Sequence, residues 1–213
     1  MVFLCHNFLM QSPNTHKDKV RKPLLALRAQ LSKSEQQEKS AQIVEHIKRS
    51  NVFMQSKKIA FYHAVRGEAD PQSLFNTTND NQQFYLPLLS SDKNQGLVFA
   101  PIDKNTQYKN NPFSIPEPIV DTHELLDATE LDLVIMPLLG FDLTGNRLGM
   151  GGGYYDRCFS FKHSNMIKPI LIGFAYDFQK IESLIAEPWD IGLDMIATES
   201  SLRAIEAHPP TFT

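Results

Sequence analysis

The segment best suited to chemistry runs from Gly145 to Arg157 and reads GNRLGMGGGYYDR. Five of its thirteen residues are glycine, and it also carries two arginines and one aspartate. Glycines let backbone N–H groups approach an anion closely, and arginines supply the opposite charge. Because the segment follows the apolar run LDLVIMPLLGFD, it should leave the carboxyl end of a buried strand, where open α/β sheets bind their ligands. The pattern predicts an anion site.

The established phosphate motifs do not describe this segment. The P-loop requires a lysine and a hydroxyl after its last glycine, and the segment has neither in place. The dinucleotide motif Gly-x-Gly-x-x-Gly, begun at Gly149, would require glycine where Tyr154 stands. A flexible glycine-rich loop or a simple helix cap is the alternative interpretation. The adjoining buried strand, the arginines and the aspartate favour the anion site.

The composition excludes several classes of protein. The chain has 213 residues, with 21 Lys and Arg against 24 Asp and Glu, so it lacks the broad positive field of a nucleic-acid binder. Its two cysteines, Cys5 and Cys158, stand far apart, which excludes a disulfide framework and a cysteine-rich metal site. We expect a cytoplasmic protein with no nucleic-acid partner.

The first ten residues, MVFLCHNFLM, are apolar, but no basic segment precedes them and no small-residue cleavage site follows them. No segment approaches the roughly 20 apolar residues of a membrane-spanning helix, so we expect no membrane association. Residues 1–15 are predicted to form a loosely ordered extension, and residues 16–205 a single α/β domain.

Two helices open the predicted domain. Apolar residues recur at helical spacing over residues 17–48, and Ser32 followed by Glu35 is the N-cap pattern that starts the second helix. Short strands are expected at residues 59–62 and in the runs QFYLPLL and GLVFAP, with a helix after Pro71. The proline-rich stretch NNPFSIPEPIV is expected to be an extended loop.

The run LDLVIMPLLGF is almost continuously apolar, which is typical of a strand covered on both faces. After the glycine segment, YYDRCFSFK predicts a helix, KPILIGFAY a second buried strand, and LDMIAT a last short strand. Alternating strands and helices predict a single-domain α/β fold, a three-layer α/β/α sandwich around a mixed, largely parallel sheet.

The stretch MPLLGFDLTGNRLGMGGGYYDR resembles the signature of the 5-formyltetrahydrofolate cyclo-ligase family. Other stretches are similar to that family in the same order, namely KDKVR, IAFYHAVRGEAD, FYLPLL, PFSIPEP and PWDIGLDMIAT. The resemblance covers residues 17 to 198.

This resemblance implies an ATP-dependent ligase of one-carbon folate metabolism. Such an enzyme closes the formyl group on nitrogen 5 of 5-formyltetrahydrofolate onto nitrogen 10, and it releases 5,10-methenyltetrahydrofolate, ADP and phosphate. Because an amide oxygen is a poor leaving group, ATP is expected to phosphorylate the formyl oxygen first, which gives an iminium phosphate. The implied partners are ATP, Mg²⁺ and a reduced folate, which can be polyglutamylated, and the implied assembly is a monomer or a small homo-oligomer.

The resemblance also implies a nucleotide site. Lys17 and Arg21 match two cations that contact ATP phosphates, and their spacing places both on one face of the first helix. Arg147, a clamp for two phosphate oxygens, and Tyr154, between nucleotide and pterin, are the catalytic candidates. The expected ATP-binding residues are Lys17, Arg21, Arg147, Leu148, Gly149, Met150, Gly151, Gly152, Gly153, Tyr154 and Tyr155.

For the folate and the metal, the resemblance implies a second set of residues. Asp156 and Asp194 match the magnesium-associated carboxylates of the family. The expected substrate-binding residues are His63, Glu68, Phe113, Gly151, Gly152 and Tyr154. The alternatives that need no ligand are a solvated helix face for the two cations, a helix-start or strand-end charge for each aspartate, and a core histidine.

Two departures from the family pattern leave questions open. Some relatives carry a lysine where Gly152 stands, so Arg147 or Arg157 is expected to supply that charge here. Ser114 stands where many relatives have glycine. Two other functions also stay open: a noncatalytic folate-binding protein, and an enzyme similar to sugar-phosphate isomerases or CoA transferases, which share the general architecture and would not require ATP.

Overall fold

The structure, a computed structural model, describes residues 14–77, 81–92, 94–111, 114–164 and 166–206. Its helices are α1 (Asn14–Gln30), α2 (Lys33–Lys48), α3 (Asn51–Gln55) and α4 (Tyr154–Cys158). Its strands are β1 (Lys58–Ala60), β2 (Gln83–Leu89), β3 (Leu97–Ile102), β4 (Tyr108–Asn110), β5 (Pro116–Pro118), β6 (Leu133–Pro137), β7 (Gly140–Phe141), β8 (Arg147–Leu148), β9 (Ile170–Phe174), β10 (Met195–Ala197) and β11 (Leu202–Ala204). Of the predicted extension, residues 1–13 lie outside the described residues.

Seven strands form the main sheet, in the order β11-β10-β9-β6-β1-β2-β3. The five inner strands run parallel to one another, and the two edge strands, β11 and β3, pair antiparallel with their neighbours. The central strand β6 arises from the predicted apolar run, and all its residues before Pro137 are buried. The predicted mixed, largely parallel sheet is confirmed.

Helices cover both faces of this sheet. Successive residues of a strand point to opposite faces. On one face, Ile135 of β6 belongs to a buried cluster with Ile43 and Ile47 of α2. On the other face, Met136 belongs to a cluster with Phe159, which directly follows α4. The three-layer α/β/α arrangement is therefore confirmed, and none of the helices in the described ranges has the length and apolar character to cross a membrane.

The first two helices are separated where the sequence predicts. Ser32 is the N-cap of α2: its hydroxyl accepts a hydrogen bond from the Glu35 backbone N–H at 3.2 Å, and its own N–H donates to the Glu35 carboxylate at 2.8 Å. This reciprocal pair satisfies two backbone donors at the start of the helix. The side chains of α2 then cover the sheet. The helix α1 packs against a different part of the molecule.

The helix α1 packs against the β7–β8 hairpin, beyond the carboxyl end of β6. Leu24 of α1 lies in a buried cluster with Leu139 and Leu148 of the hairpin region. The contact is close, because a Cβ atom added at Gly140 would stand 2.9 Å from Leu24 Cδ1 and 2.6 Å from Ile181 Cδ1. Glycine at position 140 thus fixes the position of α1 above the end of the central strand.

Three short strand pairings differ from the sequence prediction. Within the proline-rich stretch that we predicted to be a loop, β5 pairs with β4. A hairpin of β7 and β8 separates β6 from the glycines. The last strand is β11, which follows the predicted last strand β10. These strands have two or three residues each, so they are too short to show a hydrophobic period.

Two predicted helices are also shorter than expected. The segment after Pro71 forms a 3-10 helix, Gln72–Thr77. The segment YYDRCFSFK forms α4 and a separate 3-10 helix, Ser160–Ser164. Only Cys158 is buried within α4, and an apolar face of that length stabilises no more than about one turn.

Candidate active site

A cleft opens at the carboxyl end of the central strand. Its volume is about 1180 Å³, and Pro137, the last residue of β6, lies in its wall. A single small-molecule site usually has roughly 300–1,000 Å³, so the cleft has room for more than one ligand. Every residue of the predicted nucleotide site lines it, namely Lys17, Arg21 and residues 147–155, together with Asp156, Arg157 and the loop Glu187–Asp190.

Residues 149–153 of the glycine segment form one wall of the cleft, here called the glycine wall, in an irregular conformation. Gly151 has φ +94° and Gly153, the N-cap of α4, has φ +63°, so both occupy the left-handed region that a side chain disfavours. A Cβ added at Gly149 would meet nothing within 4 Å. A Cβ added at Gly151, Gly152 or Gly153 would instead approach the side chains of Arg21, Tyr154 and Arg157, so two cations and one aromatic ring lie against this wall.

The two cations of α1 both line the cleft. The Lys17 ammonium lies 2.6 Å from a carboxylate oxygen of Asp190. The Arg21 guanidinium donates to the carbonyl oxygen of Gly149 at 3.0 Å and pairs with Asp18 at 2.5 Å. Each cation is thus held by an acidic side chain at the edge of the cleft.

Arg147 is the most buried cation of the cleft. Its side chain is 7% exposed, and its guanidinium lies 2.8 Å from Asp156 Oδ1. Burial lowers the pKa of Arg147, while the charge of Asp156 acts in the opposite direction. Its Nε atom is buried and has no hydrogen-bond acceptor among the described residues. Asp156 therefore neutralises this arginine, and one donor is left without a partner.

Asp156 uses only one of its carboxylate oxygens in the described part of the chain. Both the Arg147 guanidinium and the Ile191 backbone N–H, at 3.1 Å, donate to Oδ1. No described residue donates a hydrogen bond to Oδ2, and Asp156 lines the cleft. This second oxygen could hold Mg²⁺, which proteins bind through one or two carboxylates and the phosphates of a ligand.

Asp194, the second expected metal ligand, is not among the residues that line the cleft. Asp194 precedes β10, and its carboxylate lies beside the start of β9, where it accepts from the Leu171 N–H at 2.7 Å and from Lys162 at 2.9 Å. Those donors satisfy one oxygen of the side chain at the amino end of the parallel strands, opposite to the end where the cleft lies.

Two consecutive tyrosines begin α4 and face different ways. The ring of Tyr154 lies over the glycine wall, since a Cβ at Gly152 would stand 2.7 Å from its Cε2 atom. The ring of Tyr155 stacks on Phe159 with centroids 6.2 Å apart, and burial, followed by the charge of Glu68, raises the pKa of its hydroxyl. Tyr155 therefore lines the cleft within electrostatic range of Glu68.

Glu68 is largely buried, with an 11% exposed side chain. One oxygen accepts from the Val65 N–H at 3.1 Å, and the other lies 3.8 Å from the guanidinium of Arg28. Burial raises the pKa of Glu68, and the hydrogen bond from Val65 and the charges of Arg28 and Arg66 lower it in part. The sequence analysis missed Arg28, because a 1% exposed arginine and a solvated one look alike in an amphipathic helix.

Two predicted folate residues in the described part of the chain, Glu68 and His63, are not among the residues that line the cleft. His63 follows β1, and its ring contacts that of Tyr108 edge-on at 5.6 Å. Its Nε2 atom is buried without a described partner, and burial lowers its pKa. Phe113 lies outside the described residues. The sequence analysis also missed Trp189 of the cleft, whose 62% exposure is unusual for tryptophan and has no signal in the sequence.

Comparison with known proteins agrees with this arrangement. The model of the 5-formyltetrahydrofolate cyclo-ligase family matches residues 13–199. A 5-formyltetrahydrofolate cyclo-ligase of Haemophilus influenzae is 34% identical over 182 residues, which cover 84% of this chain and 96% of the relative. The solved structure of a 5,10-methenyltetrahydrofolate synthetase of Aquifex aeolicus is 30% identical and superposes with a TM-score of 0.76 over 92% of this chain and 96% of that chain.

A second solved structure, of a 5,10-methenyltetrahydrofolate synthetase from Mycoplasma pneumoniae, is 24% identical and has a TM-score of 0.65, over 86% of this chain and 98% of that chain. At that identity it supports the fold alone. The family match extends over nearly all described residues, from α1 to the residues after β10. The chain therefore belongs to the 5-formyltetrahydrofolate cyclo-ligase family.

Proposed function

We propose that this chain, an enzyme of the ligase class, cyclises 5-formyltetrahydrofolate to 5,10-methenyltetrahydrofolate at the expense of ATP, with release of ADP and phosphate. The observation that carries the proposal is the convergence of the glycine wall, Lys17, Arg21 and Arg147 on one cleft. These groups suit a triphosphate, because phosphoryl transfer requires mainly positioning and neutralisation of charge. Family membership supports the choice of substrate.

In the proposed reaction the formyl oxygen attacks the terminal phosphorus of ATP, and the bond to the bridging oxygen breaks so that ADP leaves with the electron pair. Nitrogen 10 then attacks the activated formyl carbon, loses its proton, and expels phosphate. The backbone N–H groups at Gly149 to Gly153 and the cations of α1 would bind the triphosphate. Tyr154 and Arg147 would hold the terminal phosphoryl group against the formyl oxygen.

A metal ion belongs to this proposal through Asp156. The Oδ2 atom of Asp156 would hold Mg²⁺, which supplies charge neutralisation for the phosphates when it is bound. Asp156 Oδ1 meanwhile keeps Arg147 and the Ile191 N–H in place. One carboxylate would thus orient the arginine and the metal at the same time.

The folate would occupy the part of the cleft next to Tyr155. Glu68 is proposed as a folate contact on the resemblance, because a carboxylate can accept hydrogen bonds from the pterin N–H groups. His63 and Phe113 are proposed as further folate contacts on the resemblance alone. We also propose that the protein works in the cytoplasm, in keeping with its buried, free Cys158, whose pKa burial raises to about 12.

The direct test mixes the purified protein with 5-formyltetrahydrofolate and MgATP and follows the long-wavelength absorbance of the methenyl product. We expect product only when both ATP and Mg²⁺ are present, so omission of ATP and addition of EDTA are the controls. Folate binding without product would favour the noncatalytic folate-binding protein. Absence of both binding and product would refute the proposed function, and failure to bind ATP would favour the isomerase-like alternative.

A further inference from the structure

The four lysine and arginine side chains that line the described cleft differ in how their charges are matched. Lys17 pairs with Asp190 at 2.6 Å, Arg21 with Asp18 at 2.5 Å, and Arg147 with Asp156 at 2.8 Å. Arg157 is the exception, because no carboxylate of the described residues lies within 4.0 Å of its guanidinium. Arg157 is exposed to solvent, and its charge has no carboxylate at ion-pair distance in the described part of the chain.

Uncharged groups of the glycine wall hold this guanidinium in the cleft. The Nη1 atom of Arg157 donates to the carbonyl oxygen of Gly152 at 3.0 Å. Its Cζ atom lies 5.1 Å from the ring centroid of Tyr154, in a cation–π contact. Because the Tyr154 ring in turn rests where a Cβ of Gly152 would be, ring and glycine together place the guanidinium beside the wall.

We propose that Arg157 is a catalytic residue of the reaction, and that its guanidinium contacts the phosphoryl group during transfer from ATP to the formyl oxygen. This inference rests on the proposed function. The three matched cations share their charge with acidic neighbours, whereas Arg157 can give its whole charge to the equatorial phosphoryl oxygens. The planar fork of the guanidinium can contact two such oxygens at once.

Arg157 neither gives nor takes a proton in this step. The terminal phosphorus exchanges the bridging oxygen of ADP for the formyl oxygen, and the guanidinium neutralises the charge on the oxygens that it keeps. Two weak contacts hold Arg157 beside the wall, one hydrogen bond to a carbonyl and one cation–π contact, so the phosphoryl group competes with neutral partners alone. Arg147, by comparison, uses part of its guanidinium and of its charge for Asp156, at 2.8 Å.

The test compares Arg157→Ala and Arg157→Lys with the wild type in the methenyl absorbance assay, together with equilibrium binding of ATP without folate. We expect kcat of Arg157→Ala to fall about 100-fold, as when a donor to a transition-state oxygen is removed. ATP binding should weaken much less, since three other cations remain. Arg157→Lys should recover part of kcat, because lysine restores the positive charge. The recovery should be incomplete, because an ammonium lacks the planar fork of a guanidinium.

Chemical rescue separates a catalytic role from a structural one. Guanidinium chloride at low millimolar concentration should raise kcat of Arg157→Ala in proportion to its concentration and should leave the wild type unchanged. The matched control is Arg49→Ala, which removes an arginine with an 81% exposed side chain at the end of α2 and should keep wild-type kcat.

Three results would overturn the inference. Arg157→Ala with wild-type kcat would show that the charge is not used. A loss of ATP affinity equal to the loss of kcat, without rescue by guanidinium, would show that Arg157 merely shapes the glycine wall. A wild-type protein that forms no methenyl product would refute the proposed function and this inference with it.

Discussion

At the scale of single residues, the most unusual group is Arg28, a 1% exposed guanidinium whose Nε and Nη2 atoms have no described acceptor. Its nearest anion is Glu68, at 3.8 Å. Four titratable groups interact with Glu68 through their charges, namely Arg28 from α1, Arg66 from the same turn, Tyr62 after β1 and Tyr155 from α4. Arg28 therefore has the position to keep a desolvated carboxylate ionised.

We expect Arg28→Met to make folate binding fail at a higher pH than in the wild type. In the proposed function Glu68 binds pterin N–H groups as a carboxylate, a form that disappears as the pH falls through the pKa of Glu68. Burial already raises that pKa, and removal of the Arg28 charge raises it further. The measurement is the dissociation constant of 5-formyltetrahydrofolate between pH 5 and pH 8, without ATP.

The matched control for that experiment is Arg49→Met, whose side chain is exposed and distant in sequence from Glu68. It should leave the pH profile unchanged. An Arg28→Met variant that binds folate with the wild-type profile would contradict the role given to Arg28, and so would an equal weakening at every pH.

At the scale of elements, the position of α1 decides whether two of the cleft cations are present. The helix carries Lys17 and Arg21, and its contact with β7 is tightest at Gly140, where an added Cβ would overlap Ile181 and approach Leu24. The capping box at Ser32 stabilises the following helix α2 instead, which contributes no side chain to the cleft. One substitution in each place can therefore separate the effect of the position of α1 on the cleft from the effect of helix capping on protein stability.

We expect Gly140→Val to raise the KM for ATP and to lower stability by about 1–3 kcal/mol, because it forces α1 away from the hairpin. Ser32→Ala should lower stability by about 1 kcal/mol and should leave the KM for ATP unchanged. Thermal unfolding and steady-state kinetics of both variants check this. A Gly140→Val variant with wild-type KM would show that the position of α1 is unimportant for nucleotide binding.

At the scale of the whole molecule, the sequence predicts the sheet better than it predicts the residues of the site. The central strand β6 was predictable because an apolar run needs cover on both faces, whereas β4, β5, β7, β8 and β11 bury too few side chains to leave a pattern. An anion site could be suggested at the glycine segment because its glycines and arginines are the residue types that bind anions. The position of Asp194 away from the cleft was not predictable, since the sequence around an aspartate does not tell which end of a sheet it occupies.

The fold also links nucleotide binding to the stability of the entire domain. MgATP at 100 times its dissociation constant should stabilise the protein by about 2.7 kcal/mol, which corresponds to a rise in Tm of roughly 5–10 °C for a chain of this size. Gly149→Val should keep the wild-type Tm without ligand, because its side chain projects into open space, and should lose the rise because it fills the cleft.

Differential scanning fluorimetry measures both quantities. The control is Gly145→Val, which lies at φ +90° with Leu193 O 3.0 Å from its added Cβ, so it should lower the Tm without ligand. A Gly149→Val variant that retains the full MgATP-dependent rise would exclude the glycine wall from the nucleotide site.

The ion pair between Lys17 and Asp190 joins segments that are 173 positions apart, and it spans the cleft from α1 to the loop Glu187–Asp190. In the proposed function, a phosphate bound to Lys17 would share this ammonium with Asp190, whose other described donor is the Glu187 N–H. One lysine would then join the triphosphate, the first helix and the loop Glu187–Asp190. The mobility of that loop should consequently fall when MgATP binds.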